Sequence, residues 1–186
     1  MKKTTSFPRV MKATALVTLA LTAVLALLSH LYSWDWLMPA AITTGTTFYH
    51  FAMRLTVGNI VPHCIKQPMK YRWFHPKSFE SKLYDTLKVK RWKDRMPTYD
   101  PASFSLRENT LEQIVDNCCV SEAVHEVIIL FSFIPLLFSI FWGAFPVFLI
   151  TSLLSALFDG SFALMQRYNR PRLVRILAKK EASAHE

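Results

Sequence analysis

Glycine is scarce in this chain, with four residues in 186, and no two of them are close enough to build a phosphate-cradling loop. That absence weighs against a nucleotide-type donor of hydride or methyl groups. Cysteine is scarcer still: Cys64, Cys118 and Cys119. All three fall in a stretch read below as cytosolic, where thiols stay reduced, so no disulfide framework is expected. Cys118-Cys119 is too tight to chelate a metal alone, and no other Cys or His cluster completes a zinc spacing. Neither a metal nor a cofactor is expected. Internal repeats and low-complexity segments are also lacking. Of the segments that flank or join the long apolar runs, two lack lysine and arginine. None of the 22 basic residues lies in Tyr32–Asp35 or at the Trp142–Ala144 turn.

Those two turns separate long apolar runs. Half of the chain is hydrophobic, and the runs are Thr14–Leu31, Trp36–Met53, Ala123–Trp142 and Ala144–Met165. A spanning helix needs ~20 apolar residues, so the expected fold is an all-α integral membrane protein with about four transmembrane helices, a single membrane domain over residues 1–186. The second run is the weakest, with Pro39, a threonine-rich stretch and His50; there a tilted or re-entrant segment competes with a full crossing. The first run follows Lys2-Lys3 as a signal peptide would, but no Ala-x-Ala site follows, and it reads as a retained anchor. Sorting the basic residues by the positive-inside rule places both termini and the segment between runs two and three in the cytoplasm of a multi-pass cell-membrane protein. The net charge of +9 flanks apolar runs, so anionic membrane lipid, not nucleic acid, is the expected partner.

The cytosolic segment, residues 55–121, is too basic and aromatic for a disordered linker. Phe79, Leu83 and Leu87 recur at helical spacing among Lys77, Lys82 and Lys88, which predicts an amphipathic helix in the membrane interface. Ser105-Leu-Arg-Glu108 has the capping-box pattern and predicts a second helix, with Leu111, Ile114, Val115 and Cys118 on one face, running into the third span. Met96–Pro101, with two prolines, reads as an extended loop.

Four constellations carry candidate chemistry. His50 and Arg54 share a helix face at i, i+4 at the cytosolic end of run two; they read either as a base with a neighbouring cation or as an interfacial pair with a snorkelling arginine. Glu122-x-x-His125, with Glu126, stands where the third span begins. Ionisable groups at membrane depth are costly and point to function: the pair reads as a carboxylate orienting a general-base histidine, as half of a di-metal carboxylate site of which the chain has no second Glu-x-x-His, or as structural hydrogen bonding. Asp159 lies in the fourth run and pairs with Arg54 or His125 if it has a structural role. Gln166-Arg167-Tyr168-Asn169-Arg170-Pro171-Arg172 follows that run. Its three arginines offer forked donors for phosphate or carboxylate, and Pro171 is expected to limit the helix there.

The stretch Gln166-Arg167-Tyr168-Asn169-Arg170-Pro171-Arg172-Leu173 resembles the C-terminal signature of the glycosyl-diaponeurosporenoate acyltransferase family, small membrane enzymes that add the fatty acyl chain completing staphyloxanthin-type carotenoids. Arg91-Trp92-Lys93 is similar to the family's basic-Trp-Lys segment, and Glu122-x-x-His125 to its Glu-x-x-His at the start of a late membrane helix. The likeness runs from Trp73 to Lys180. It implies acyl transfer from a cytosolic acyl thioester, as co-substrate, to a lipid or glycolipid hydroxyl of the carotenoid-glycoside kind. Such a reaction needs a base, which His125 with Glu122 supplies, or else His50. It also needs donors for an oxyanion and for the acyl donor's phosphates, supplied by Arg170, Arg172 and Asn169. Arg54, Gln166, Arg167, Tyr168 and Asp159 complete the expected substrate-binding set. Two other classes stay open on the residues alone: a non-enzymatic membrane subunit whose polar cluster locks helices, and another small lipid-modifying enzyme, a methyltransferase or reductase. The topology has its own test. An impermeant thiol reagent applied to intact cells should label a cysteine placed at Ser33 or Gly143 and spare Cys64; labelling of Cys64 would invert the assignment.

Overall fold

The computed structural model describes residues 7–184; Lys2, Lys3 and both chain ends lie outside them. Among the described residues every regular element is helical and there is no strand. The elements are α1 (Phe7–Tyr32), α2 (Met38–Cys64), α3 (Glu80–Thr86), α4 (Val89–Trp92), α5 (Leu111–Phe131), α6 (Pro135–Trp142) and α7 (Phe145–Ala184), joined by short 3-10 turns. They form two compact units. Among the described residues, one is 7–59 with Val127–Asp159, and the other is built from Ile60–Glu126 with 160–184.

Among the described residues three helical stretches, not four, are long and apolar enough to cross a membrane: Phe7–Tyr32, Leu111–Trp142 and Phe145–Lys180. They mark the chain as a membrane protein. The expected second span forms a helix of 27 residues, so length does not disqualify it. Polarity does, because Thr43, Thr44, Thr46, Thr47, His50 and Arg54 interrupt its apolar character. The threonine hydroxyls are nevertheless satisfied inside the helix. Each hydroxyl donates to the carbonyl four residues back, Thr43 to Pro39 at 2.8 Å, Thr44 to Ala40 at 3.1 Å, Thr46 to Ile42 at 2.6 Å and Thr47 to Thr43 at 2.8 Å. A polar group satisfied within its own helix asks little of its surroundings.

In the first unit α1 leans on α2 through small residues. A Cβ at Gly45 would lie 3.2 Å from Thr22 Cγ2, and Thr22 Oγ1 donates to Thr44 Oγ1 at 2.9 Å. A missing side chain and a hydroxyl pair are what bring helices together where no water drives them. The opposite side of α1 leaves Leu16, Val17, Leu21, Val24 and Leu27 exposed, a surface suited to lipid tails. The run expected at 123–142 is broken between α5 and α6 for an identifiable reason. Pro135 has no N–H for the carbonyl of Phe131. The Ile134 N–H, at 3.1 Å, and the Tyr49 hydroxyl, at 2.9 Å, donate to that carbonyl instead, and Ser132 Oγ donates to Ile128 O at 2.8 Å. At the α6–α7 turn Gly143 has φ +67° and Ala144 φ +40°; the left-handed region suits the glycine.

In the second unit a small core of Phe74, Cys119 and Ala123 packs with Ile65 and Met69. The capping box is present but displaced. Thr110 N–H donates to Gln113 Oε1 at 2.8 Å and Gln113 N–H to Thr110 Oγ1 at 3.2 Å, which starts α5 at Leu111. Ser105 instead closes a turn, accepting from the Glu108 and Asn109 amides at 3.1 and 3.0 Å. Both sites carry the Ser/Thr-x-x-Glu/Gln pattern, and the one adjoining the apolar face begins the helix. Phe79, Leu83 and Leu87 lie along α3 and its caps, as expected, and all three are exposed; Lys88, left-handed at φ +51°, ends that helix before α4. Met96, before Pro97, is extended as expected, φ −72° and ψ 135°. Pro171 does not end its helix. α7 runs through it for 40 residues in all, forgoing the one ladder bond that a proline lacks.

The α5–α6 break makes a specific prediction. Tyr49→Phe removes one of the two donors to the Phe131 carbonyl and leaves the Ile134 N–H in place, so it should lower stability by about 0.5–1.5 kcal/mol in detergent-phase chemical unfolding. Thr43→Val, which removes only a self-satisfied hydroxyl, should stay near wild type.

Candidate active site

The residues with chemical potential fall into two groups, one in each unit. The larger is carried by α5 and α7 with the α3 region. Glu122 is 0% exposed, and a bare buried carboxylate would be costly. Its two oxygens are met by arginines. Oε1 accepts from Arg167 Nη1 at 3.0 Å, and Oε2 accepts from Arg170 Nη1 in a short, buried pair. Arg167 spends its fork widely. Nε donates to Glu80 Oε1 at 2.8 Å, Nη2 to the Trp73 carbonyl at 3.1 Å, and Nη1 lies 3.6 Å from Glu126 Oε1. Three carboxylates and two guanidiniums are thus interleaved, and charge-assisted bonds of this kind are the strong ones.

Aromatic residues frame the cluster. Trp73 Nε1 donates to Glu126 Oε2 at 2.8 Å, with Arg167 over its ring at 5.6 Å and Lys77 at 4.3 Å. The Tyr84 hydroxyl donates to Glu80 Oε2 at 2.9 Å; burial first, and then that carboxylate, push its pKa well above the usual phenol range. Tyr168 stands edge-on to Tyr84 at 5.2 Å. Arg170, only 1% exposed, lies over the Phe74 ring at 5.5 Å, and its Nε and Nη2 find no partner in the protein. Beyond the Cys119 thiol, which the guanidinium also faces, these two buried donors are the uncommitted part of the cluster. His125, one turn along α5 from Glu122, is half-buried and stacks on Phe162 at 4.9 Å and 14°. Gln166 is buried on the same face of α7 as Arg170, and Asn169 is half-buried. Arg172 is exposed, so the structure separates it from Arg170 where the sequence grouped the two. Residues 170 and 172 on one helix point about 200° apart.

The second group lies in the other unit. Asp159, 1% exposed, is paired with Arg54, whose Nε and Nη2 donate to Oδ2 at 2.9 and 2.5 Å. Of the two partners expected for Asp159, Arg54 holds it. The guanidinium also donates to Ser155 Oγ at 2.8 Å and to the His50 carbonyl at 3.1 Å. Its fork is engaged within the protein, unlike that of Arg170. His50 is buried at 5% exposure. Among the described residues no group of three His, Cys, Asp or Glu side chains is arranged to hold a metal ion.

Sequence reasoning placed Glu122, Arg167 and Arg170 in the chemistry but missed Glu80. The available signal was faint: one acidic residue, four before a tyrosine, in a lysine-rich amphipathic stretch. A family model described as glycosyl-4,4'-diaponeurosporenoate acyltransferase matches residues 68–179. No curated protein and no solved structure matches the chain. Glu122 anchors the cluster, so Glu122→Ala should strand two guanidiniums and cost about 3–5 kcal/mol, the range for breaking a buried pair. Thermal unfolding in detergent would register that loss, while exposed Arg172→Ala should leave the transition in place.

Proposed function

Because the chain belongs to the glycosyl-4,4'-diaponeurosporenoate acyltransferase family, we propose that it moves a fatty acyl group from a cytosolic thioester to a hydroxyl of a membrane glycolipid of the carotenoid-glycoside kind. One observation carries the reading. The family match spans every member of the buried cluster, namely Glu80, Glu122, Glu126, Arg167 and Arg170, together with His125.

In this reading the acceptor hydroxyl gives its proton to His125 as its oxygen attacks the thioester carbon. The carbonyl electrons move onto oxygen, and the unspent donors of Arg170 stabilise the oxyanion in a site shielded from water. Collapse breaks the C–S bond, and the proton held by His125 passes to the leaving thiolate. The products are an ester and a free thiol. Glu122 serves by holding both arginines in place. Gln166, Tyr168 and Asn169 line the substrates' approach. Exposed Arg172 meets the phosphates of the acyl donor with a bidentate fork. Positive-inside sorting puts this chemistry at the cytoplasmic face of a multi-pass protein in the cell membrane.

The reading is tested with purified protein, a labelled acyl thioester and a glycolipid acceptor. His125→Ala should lower turnover by about 10²–10⁴-fold, the usual contribution of one general base, with unchanged melting. Near wild-type turnover would remove His125 as the base and leave His50 as the candidate. A cluster that merely locked helices in a non-enzymatic subunit would give no turnover in any variant, including wild type.

A further inference from the structure

His50 is the least explained buried residue of the fold. It is 5% exposed, and neither Nδ1 nor Nε2 bonds anything in the protein. Ser152 repeats the pattern: it is fully buried, and its hydroxyl has no partner. This is unusual, because buried polar groups are nearly always hydrogen-bonded. Other serines and threonines of the same unit satisfy themselves on their own helix or on each other, as Ser132 does with the Ile128 carbonyl and with Ser155 Oγ, both at 2.8 Å.

The Arg54–Ser155 bond brings the turn of α2 after His50 against the turn of α7 after Ser152, which sets the two orphans at the same level of the unit. Tyr49, next to His50, holds the Phe131 carbonyl at 2.9 Å. Ser132, next to Phe131, bonds Ser155. Ser155 receives Arg54, four residues after His50 on α2, and Ser152 lies one turn before Ser155 on α7. All of these residues belong to one compact unit. The charges at that level are already matched, Arg54 to Asp159 at 2.5 Å, so it offers an anion no unspent guanidinium. What stays unspent is an imidazole, which donates at one nitrogen and accepts at the other, and a hydroxyl, which does both. A ligand hydroxyl has the same dual character.

We propose that His50 and Ser152 form a seat for an uncharged, hydroxyl-bearing lipid headgroup, sugar or glycerol, inside this unit. The seat is separate from the Glu122–Arg170 cluster and does not depend on the transfer reaction. The test uses the full-length protein, ¹⁵N-labelled in its histidine rings, in phosphatidylcholine nanodiscs. His50 signals are identified by their loss in His50→Gln. The probes are a short-chain alkyl glucoside below its micelle concentration, dioctanoylglycerol, dioctanoyl phosphatidic acid and 1-methoxyoctane. A saturable shift of both His50 nitrogens with the glucoside, with dioctanoylglycerol, or with both supports the seat and tells which headgroup it takes. Ser152→Ala should then weaken half-saturation about tenfold, the loss of one hydrogen bond. No shift with either hydroxyl lipid would overturn the proposal, as would an equal shift with phosphatidic acid or methoxyoctane. An unchanged half-saturation in Ser152→Ala would remove Ser152 from it.

Discussion

The Glu122 carboxylate, held between Arg167 and Arg170, is the interaction on which its whole unit depends. It ties α5 to α7 across 45 and 48 residues of sequence. Through Arg167 it reaches Glu80 and the Trp73 carbonyl, so the short elements before α5 are fixed by the same fork. Charges this deep persist only when each is matched and hydrogen-bonded, and here a surplus of carboxylate on Arg167 coexists with unspent donors on Arg170. That asymmetry separates the cluster from a simple helix lock, in which every donor would be consumed.

The other unit solves the same problem in another way. Its arginine is fully engaged by Asp159, Ser155 and a backbone carbonyl, and its threonines close on their own helix. Proline adds a third device, because the carbonyl that Pro135 cannot reach is met by the Ile134 N–H of the turn and by a tyrosine hydroxyl from α2. Apolar side chains face outward on α1, and polar ones face inward on α2 and α7. That is the arrangement expected where the surrounding solvent is hydrocarbon, not water.

Much of this was legible in the residues. Apolar runs alone located α1, α6 and the first part of α7, because length and hydropathy are local properties. The second run forms its helix over 27 residues but falls short in apolarity, since its threonines dilute its hydropathy without ending the helix. Two capping boxes compete within ten residues, at Ser105 and Thr110, and only the position of the buried face of α5 decides between them. Pro171 was taken for a stop, yet the helix tolerates the loss of one bond when packing continues on both sides of it. At the site, Glu122 and the arginines stood out by type. Their pairing did not, because it is set by the register of α5 against α7. Arg170 and Arg172 look equivalent in sequence, but two positions along a helix carry one inward and the other out. Glu80 was hidden, because nothing local distinguishes a buried carboxylate in a basic amphipathic stretch.

The central claim is that Arg170 does chemistry beyond neutralising Glu122, through donors that only a guanidinium has. An Arg170→Lys variant keeps the charge and one bond to Glu122 but loses the remaining fork. The decisive measurement is an acyl-donor titration of this variant at fixed glycolipid acceptor, alongside its melting profile. The account predicts wild-type-like melting with a maximal rate reduced about 10²–10³-fold, as for loss of an oxyanion donor. An unchanged maximal rate and an unchanged donor half-saturation would contradict it, and would leave Arg170 a structural counter-ion.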